Sequence, residues 1–218
     1  MKKLFSIIAL LLFVAGTGFA QNNEATVDQD GIDHEAYIEQ VGLNNDATII
    51  QENNNNWAEV IQKNDNNIVF IDQTYGTHNI AQVKQMGEQQ HTFFFQQGSQ
   101  NVFRLLQEGG SNQVGLDADN PFYQLGNGNK FAGVTNGDGL AFDEGGYAKQ
   151  FDGAILDPSS IQHGHDNIIG LRQGEGDMGL IQQFGDGNEA LLWQGGGGHD
   201  ATIIQNGNGN KARVYQNH

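Results

Sequence analysis

A glutamine that recurs every eleven residues is the feature of this 218-residue chain that most restricts its fold. The spacing runs through two stretches, with one inserted residue in the first and one deleted residue in the second. The recurring glutamines are Gln29, Gln40, Gln51, Gln62, Gln73, Gln85, Gln96 and Gln107, then Gln162, Gln173, Gln183, Gln194, Gln205 and Gln216. Self-similarity at a fixed period is typical of architectures in which each repeat stacks on its neighbours.

The residues between the glutamines repeat as well, in the frame Gln-x-Gly-x-x-Asn-x-Ala-x-x-x-Gln. The asparagines of this frame are Asn45, Asn56, Asn67, Asn79, Asn101, Asn167, Asn188 and Asn210. Its glycines are Gly31, Gly42, Gly87, Gly98, Gly164, Gly185 and Gly207. Single positions vary, since His34 and His199 replace Asn and Gln90 replaces it once.

The glycine and the asparagine divide each unit into a turn and a strand. Gly and Asn tolerate the positive φ of a tight reversal, so the stretch around the glycine predicts a turn. The seven residues from Asn to Gln predict a strand, in which Asn, Ala, an apolar residue and Gln share one face. An amphipathic helix is the competing interpretation, but a glycine in each unit contradicts it.

Two consecutive units have the length to form one coil of a solenoid, with two strands face to face around their apolar residues. Coils stacked ~4.8 Å apart would form two parallel sheets. We therefore predict an all-β fold, a two-sheet parallel β-solenoid of roughly nine coils. A buried amide without a partner costs about 1–3 kcal/mol, so the glutamines and asparagines named above are predicted to form hydrogen-bonded ladders between coils.

The frame is interrupted between residues 117 and 161, a stretch that contains both prolines, Pro121 and Pro158. One good half-unit begins at Gln124, and Gln150 lies twelve residues before Gln162. We interpret this stretch as imperfect coils with bulging loops. A hinge between two solenoid halves is the alternative.

The first twenty residues have the three parts of a secretory signal peptide. Lys2 and Lys3 precede an apolar run, and small residues precede a cleavage site after Ala20. We expect residues 1–20 to be removed and residues 21–218 to form the secreted, extracellular protein. The formal net charge of −16 argues against a nucleic-acid partner, and no later stretch predicts a membrane span. With no cysteine, the exported chain contains no disulfide.

The repeat frame resembles the curlin repeat of curli fibre subunits, which form bacterial biofilm amyloids. The resemblance covers roughly residues 22–117 and 162–217, and it favours a major subunit over a nucleator because no divergent basic end repeat is present. Curlin repeats commonly open with Ser, which is nearly absent here. The resemblance implies export through an outer-membrane pore, polymerisation started by a nucleator subunit, and roles in cell adhesion and biofilm matrix.

The two ends of the predicted solenoid are the expected assembly surfaces, at residues 23–40 and 199–216. An open solenoid has unpaired strand edges, which head-to-tail stacking of further copies would pair. The principal hypothesis is therefore a homopolymeric fibre. The alternative is a monomeric secreted adhesin or binding solenoid, and polymerisation distinguishes the two.

Other functions of a repetitive secreted chain are less consistent with the pattern. Calcium-binding β-rolls need a nine-residue period, whereas this period is eleven. The outer positions vary too widely for a regular ice-binding or carbohydrate-binding array. His163, His165 and Asp166 could suggest a metal pair, but a polar turn explains them, so we predict no enzyme, no metal and no cofactor.

Overall fold

A computed structural model describes residues 22–136, 140–143 and 146–217 of the chain. The predicted signal peptide, residues 1–20, and the glycine-containing stretch 137–139 lie outside the described residues. In chain order the strands are β1 (Glu24–Ile32), β2 (Glu35–Val41), β3 (Asp46–Asn54), β4 (Trp57–Lys63), β5 (Ile68–Gln73), β6 (Ile80–Glu88), β7 (His91–Gln97), β8 (Val102–Gly110), β9 (Gln113–Val114), β10 (Phe122–Leu125), β11 (Lys130–Asn136), β12 (Leu140–Asp143), β13 (Ala148–Phe151), β14 (Ile155–Leu156), β15 (Ile161–His163), β16 (Ile168–Gln173), β17 (Met178–Phe184), β18 (Glu189–Gly195), β19 (Asp200–Asn206) and β20 (Lys211–Asn217). Within the described ranges there is no α-helix, and hence none that could cross a membrane.

The strands form two ten-stranded sheets that face each other. Sheet A contains β1, β3, β5, β7, β9, β10, β14, β15, β17 and β19, and sheet B contains the others. Successive strands along the regular parts of the chain alternate between the sheets, so neighbours within a sheet are one coil apart. They pair in parallel and in register, as in Ala47 with Val69 and Gln51 with Gln73. The predicted all-β, two-sheet parallel β-solenoid is confirmed.

The solenoid has about eight coils, one fewer than expected, because the centre contains insertions. In sheet A, β9 and β10 together form one rung, which is the position of a single strand in the stack. Both pair with β7, and the loop 115–121 separates them. The next rung is likewise divided between β14 and β15. In sheet B, β11 and β13 share a rung against β8. Together the inserted segments are about as long as one coil, which accounts for the difference.

The insertion in sheet B contains the one antiparallel pair of strands among the described residues. The end of β11 turns back along β12, with Val134 opposite Phe142. This hairpin packs on the outer face of sheet B, where Val134 and Leu191 are buried together and Trp193 packs against them. Gly170 permits the approach, since a Cβ there would lie 2.8 Å from Leu191 Cδ2.

The core is a thin double layer made by the apolar positions of the repeat. Residues such as Ile49, Val60 and Ile71 are fully buried between the sheets, and the alternate residues of the same strands face outward. In the centre the core changes from aliphatic to aromatic: the ring of Phe103 stacks on Phe94 with centroids 3.8 Å apart. Aromatic rings therefore fill the core beside the inserted segments.

Replacing one ring of this stack should weaken the solenoid much more than replacing a ring outside it. Phe103→Ala should lower the free energy of unfolding by about 3–5 kcal/mol, because it leaves a cavity between the sheets. Phe93→Ala, on the partly exposed outer face of β7, should cost about 1 kcal/mol. Denaturant unfolding of the purified monomer measures both, and equal losses would contradict the described core.

Candidate functional site: the amide columns, turn glycines and end strands

One continuous column of glutamine side chains runs along the inner face of sheet A. Each Nε2 donates to the Oε1 of the glutamine one coil further along the chain, at 2.7–3.0 Å. The members are Gln29, Gln51, Gln73, Gln96, Gln124, Gln162, Gln183 and Gln205. The column crosses the central insertion without a break, because Gln124 lies between Gln96 and Gln162.

A second column occupies the equivalent positions of sheet B. Its members are Gln40, Gln62, Gln85, Gln107, Gln150, Gln173, Gln194 and Gln216. The Nε2–Oε1 distances are 2.8–3.3 Å, and every donor again points towards the C-terminal coil. Sequence spacing alone does not assign Gln124 or Gln150 to a column, but the half-unit that begins at Gln124 is a usable signal.

From Gln40 onward, each glutamine amide of the columns also donates to a backbone carbonyl of the facing sheet. Gln96 shows the arrangement: it accepts from Gln73 at 2.7 Å, donates to Gln124 at 2.9 Å and donates to the Ile80 carbonyl at 3.3 Å. A neutral primary amide has two N–H donors, so both are satisfied although the side chain is fully buried. The columns therefore join coil to coil and sheet to sheet.

The asparagines also stack, but their bonds differ from the amide-to-amide ladder that the sequence suggested. Asn79 Oδ1 accepts from the backbone N–H of Asn101 at 3.0 Å, and Asn79 Nδ2 donates to the Gly98 carbonyl at 2.8 Å. The shorter side chain lies where the turn meets the strand, so it reaches backbone groups of the next coil. The same bond to the backbone N–H joins Asn45 to Asn67, and Asn56, Asn101, Asn129, Asn167 and Asn188 to the next asparagine in their column.

Residues other than asparagine in these columns differ in how completely their polar atoms are hydrogen-bonded. His34 and Gln90 are buried, and His34 Nε2 and Gln90 Oε1 have no hydrogen-bond partner in the described part of the chain. Asp177 takes the position well: one carboxylate oxygen accepts from the N–H of His199 at 2.9 Å and the other from that of Gly174 at 2.6 Å. The sequence frame marked His34 and Gln90 as substitutions without showing this consequence.

The turn glycines lie where consecutive coils approach most closely. At Gly87 an added Cβ would lie 1.6 Å from the carbonyl oxygen of Gly109, although the φ of Gly87 is not left-handed. The reason for glycine here is therefore space rather than the positive φ predicted for the turns. Similar overlap with the next coil occurs at Gly31, Gly42, Gly98, Gly164 and Gly185, which in addition have a positive φ. At Gly207 in the last coil, the nearest atom to an added Cβ would be Asn210 Nδ2 at 3.7 Å.

Charge is divided between the two outer faces. Among the described residues, every lysine and arginine lies on a strand of sheet B: Lys63, Lys84, Arg104, Lys130, Lys149, Arg172, Lys211 and Arg213. The strands of sheet A carry no lysine or arginine, and their acidic residues are Glu24, Asp28, Asp30, Asp46, Glu52, Asp72 and Asp200. Burial and the Glu24 carboxylate raise the pKa of Asp46.

The cations of β20 form two short ion pairs on the outer face of sheet B. Lys211 Nζ lies 3.1 Å from one oxygen of Glu189, and Arg213 lies 3.0 Å from the other. Burial by itself would raise the pKa of Glu189, but the hydrogen bonds from Arg213 and Lys211 hold it below its usual value. Two cations thus share one carboxylate at the C-terminal end of the solenoid.

The end coils expose strand edges. On the described residues, β1 pairs only with β3 and β2 only with β4, while β19 and β20 pair only with β17 and β18. The inward Val27, Ile38 and Val214 are partly exposed, whereas equivalent positions inside the rod are fully buried. The predicted assembly segments 23–40 and 199–216 coincide with these edges.

His163 is the last residue of β15, and His165 lies in the turn that follows. His163 and His165 are exposed, and His165 Nδ1 accepts from the N–H of Asn127 at 3.2 Å. The described residues contain no group of three or more side chains placed to hold a metal ion.

Breaking a glutamine column should destabilise the fold, and adjacent residues of β7 offer a matched pair. Gln96→Ala leaves the Gln73 amide and the Ile80 carbonyl without their partner, so unfolding free energy should fall by at least about 2 kcal/mol. Gln97→Ala, on an exposed neighbour, should change it by less than about 0.5 kcal/mol. Denaturant titration of the monomer compares the unfolding free energies of the two variants. Similar losses would show that the columns add little to stability.

Two glycines in neighbouring strands should respond differently to alanine. Gly87→Ala places a methyl group on the Gly109 carbonyl and must separate two coils, so the unfolding midpoint should fall clearly. Gly110→Ala should be tolerated, because its Cβ would have nothing closer than the Glu88 carbonyl at 3.7 Å. Thermal unfolding of both variants is the measurement, and an unchanged midpoint for Gly87→Ala would refute the close approach.

Comparison with known proteins identifies the repeat. The curlin-associated repeat family matches residues 20–52 and residues 174–207. One similar solved structure is the polySia-specific acetyltransferase NeuO, with 13% identity, a TM-score of 0.21, and coverage of 84% of this chain and 80% of that chain. No curated protein matches the sequence. The family matches lie at both ends of a parallel solenoid whose glutamine columns continue between them, and the chain therefore contains curlin-associated repeats.

Proposed function

We propose that this protein is the structural subunit of an extracellular curli-like amyloid fibre, and that it assembles by head-to-tail stacking of solenoids. The observation that carries the proposal is the pair of end coils, whose outer edges have no partner strand among the described residues and can continue both sheets. Exposed strand edges pair readily with another chain, and soluble proteins usually cover or interrupt them.

The interior of the rod supports the same function. Each glutamine column is a hydrogen-bonded chain of identical side chains, as found in cross-β assemblies. When the first coil of a further copy is placed on the last coil of this one, both columns continue. The partly exposed Val27 and Ile38 of the added copy then become buried. Stacking therefore adds hydrogen bonds and apolar burial of the kinds already present inside each molecule.

The route to the cell surface belongs to this proposal. Residues 1–20 act as a signal peptide, and the exported chain, residues 21–218, leaves through an outer-membrane pore and polymerises with the help of a nucleator subunit. The fibre serves cell adhesion and biofilm matrix. The curlin-associated repeat supports this setting, and the excess of acidic residues keeps the chain soluble until it assembles.

The direct test is assembly of the purified exported chain. Incubation should give thioflavin-positive fibres visible by electron microscopy, with fibre diffraction at about 4.7–4.8 Å. A chain that stays monomeric for days at high concentration would instead favour a monomeric secreted adhesin or binding solenoid.

Deletions locate the surfaces that assemble. Removing residues 199–218 deletes the last coil, and fibre growth should slow strongly or stop. Removing residues 46–67 is the matched control, since it deletes one internal coil of similar length and rejoins Asn45 to Ile68 in the repeat frame. Seeded growth curves compare the two chains. Equal growth would show that the C-terminal coil is not an assembly surface.

A further inference from the structure

We infer that the junction between stacked copies has one register and one polarity, and that charge pairs on sheet B select it. Lys211 and Arg213 of one copy bind Glu35 of the next, with Glu39 beside them. This inference rests on the proposed stacking of solenoids, and it adds which strands meet and what holds them in register.

The register follows from the repeat frame at the two ends. Placing the first coil (β1 and β2) after the last coil (β19 and β20) continues every inward column of the solenoid. The pairs that meet are Ala201 with Ala25, Ile203 with Val27, Gln205 with Gln29, Ala212 with Ala36, Val214 with Ile38, and Gln216 with Gln40. Each pair repeats a combination of small, apolar and amide residues that stacks inside the rod.

In that register the outer face of β20 meets the outer face of β2. Lys211 takes the position next to Glu35, and Arg213 lies between the positions of Glu35 and Glu39. The hydroxyl of Tyr37 donates to Glu39 at 3.1 Å and holds that carboxylate on the same face. Lys211 and Arg213 of β20 are therefore complementary in charge to Glu35 and Glu39 of β2.

The molecule already contains the geometry that this junction needs. Glu189 and Lys211 are register partners in adjacent parallel strands, and their charged atoms lie 3.1 Å apart. Glu35 has the same relation to Lys211 across the junction. Since Lys211 and Arg213 share one carboxylate, that of Glu189, among the described residues, one positive charge is available to the next copy. No lysine or arginine lies on either strand of the first coil.

Sheet A has the opposite electrostatics at the same junction. Asp200 meets Glu24, which is itself followed by Asp46 one coil further on. Three carboxylates in one column repel one another, so sheet A opposes stacking at neutral pH while sheet B favours it. Stacking of two first coils would face acid with acid, and stacking of two last coils with sheet B on sheet B would face cation with cation. On sheet B, head-to-tail contact is the arrangement that pairs opposite charges.

Charge reversal tests the junction. Lys211→Glu with Arg213→Glu should slow seeded elongation at least about tenfold, because it faces carboxylates with carboxylates. Glu35→Lys with Glu39→Lys should slow it similarly. A chain with all four substitutions should regain most of the lost rate, since every junction again pairs opposite charges. Asp200→Asn should speed elongation, and raising salt to about 1 M should reduce all of these differences.

Glu189→Gln is the control for loss of the ion pairs within the chain. It removes the internal partner of Lys211 and Arg213 but leaves both cations at the junction, so it should elongate at least as fast as the unchanged protein. Rescue in the four-substitution chain cannot come from repair of the last coil, because Glu35 and Glu39 lie in the first coil.

The outcomes separate this inference from the proposed function. If the unchanged protein forms no fibre, the proposed function fails. If it forms fibres and the reversed chains elongate at the same rate, the charge-selected register is wrong while fibre formation stands. Failure of the four-substitution chain to recover, with both double variants slow and folded by circular dichroism, also overturns the Lys211–Glu35 pairing.

Discussion

The whole structure depends on the need of a buried side-chain amide for partners. A glutamine between two sheets has two N–H groups to satisfy, and one of them can reach only the amide one coil away. This requirement sets the stacking as parallel and in register, because a shift of one residue would turn each amide to the opposite face of the sheet, away from its partner. The aliphatic layer between the columns is thin. Hydrogen bonds between coils therefore provide much of the stability that a thick hydrophobic core provides in a globular domain.

The architecture could be predicted from the sequence because the repeat period determines which residues share a face and which residues of the neighbouring coil they stack on. It overestimated the number of coils because segments such as 133–147 add length without adding a rung. It described the asparagines incompletely because their role depends on backbone groups that the residue pattern does not locate. The hairpin on sheet B was missed for a related reason: Val134 and Leu191 meet through local antiparallel pairing, which carries no glutamine frame. The separation of charge could have been found by assigning alternate half-units to alternate sheets.

The central insertions show which part of the repeat tolerates change. The chain leaves the rung at residue 115 and again at residue 133, yet Gln124 and Gln150 return to their columns. Extra length is placed on the outside, while the inner positions keep their chemistry. The large rings at Phe94, Phe103, Phe122 and Phe131 fill the core beside these departures. A solenoid of this kind therefore keeps the residue types that stack along its axis and accommodates inserted segments on its outer surface.

The common direction of the amide bonds gives the rod an electrical axis. Amide dipoles in both columns point the same way, from Gln29 to Gln205 and from Gln40 to Gln216, so their contributions add instead of cancelling. One tip of the rod presents side-chain carbonyl oxygens and the other presents N–H groups. A filament built from such rods has two chemically different tips, and an arriving molecule meets acceptors at one tip and donors at the other.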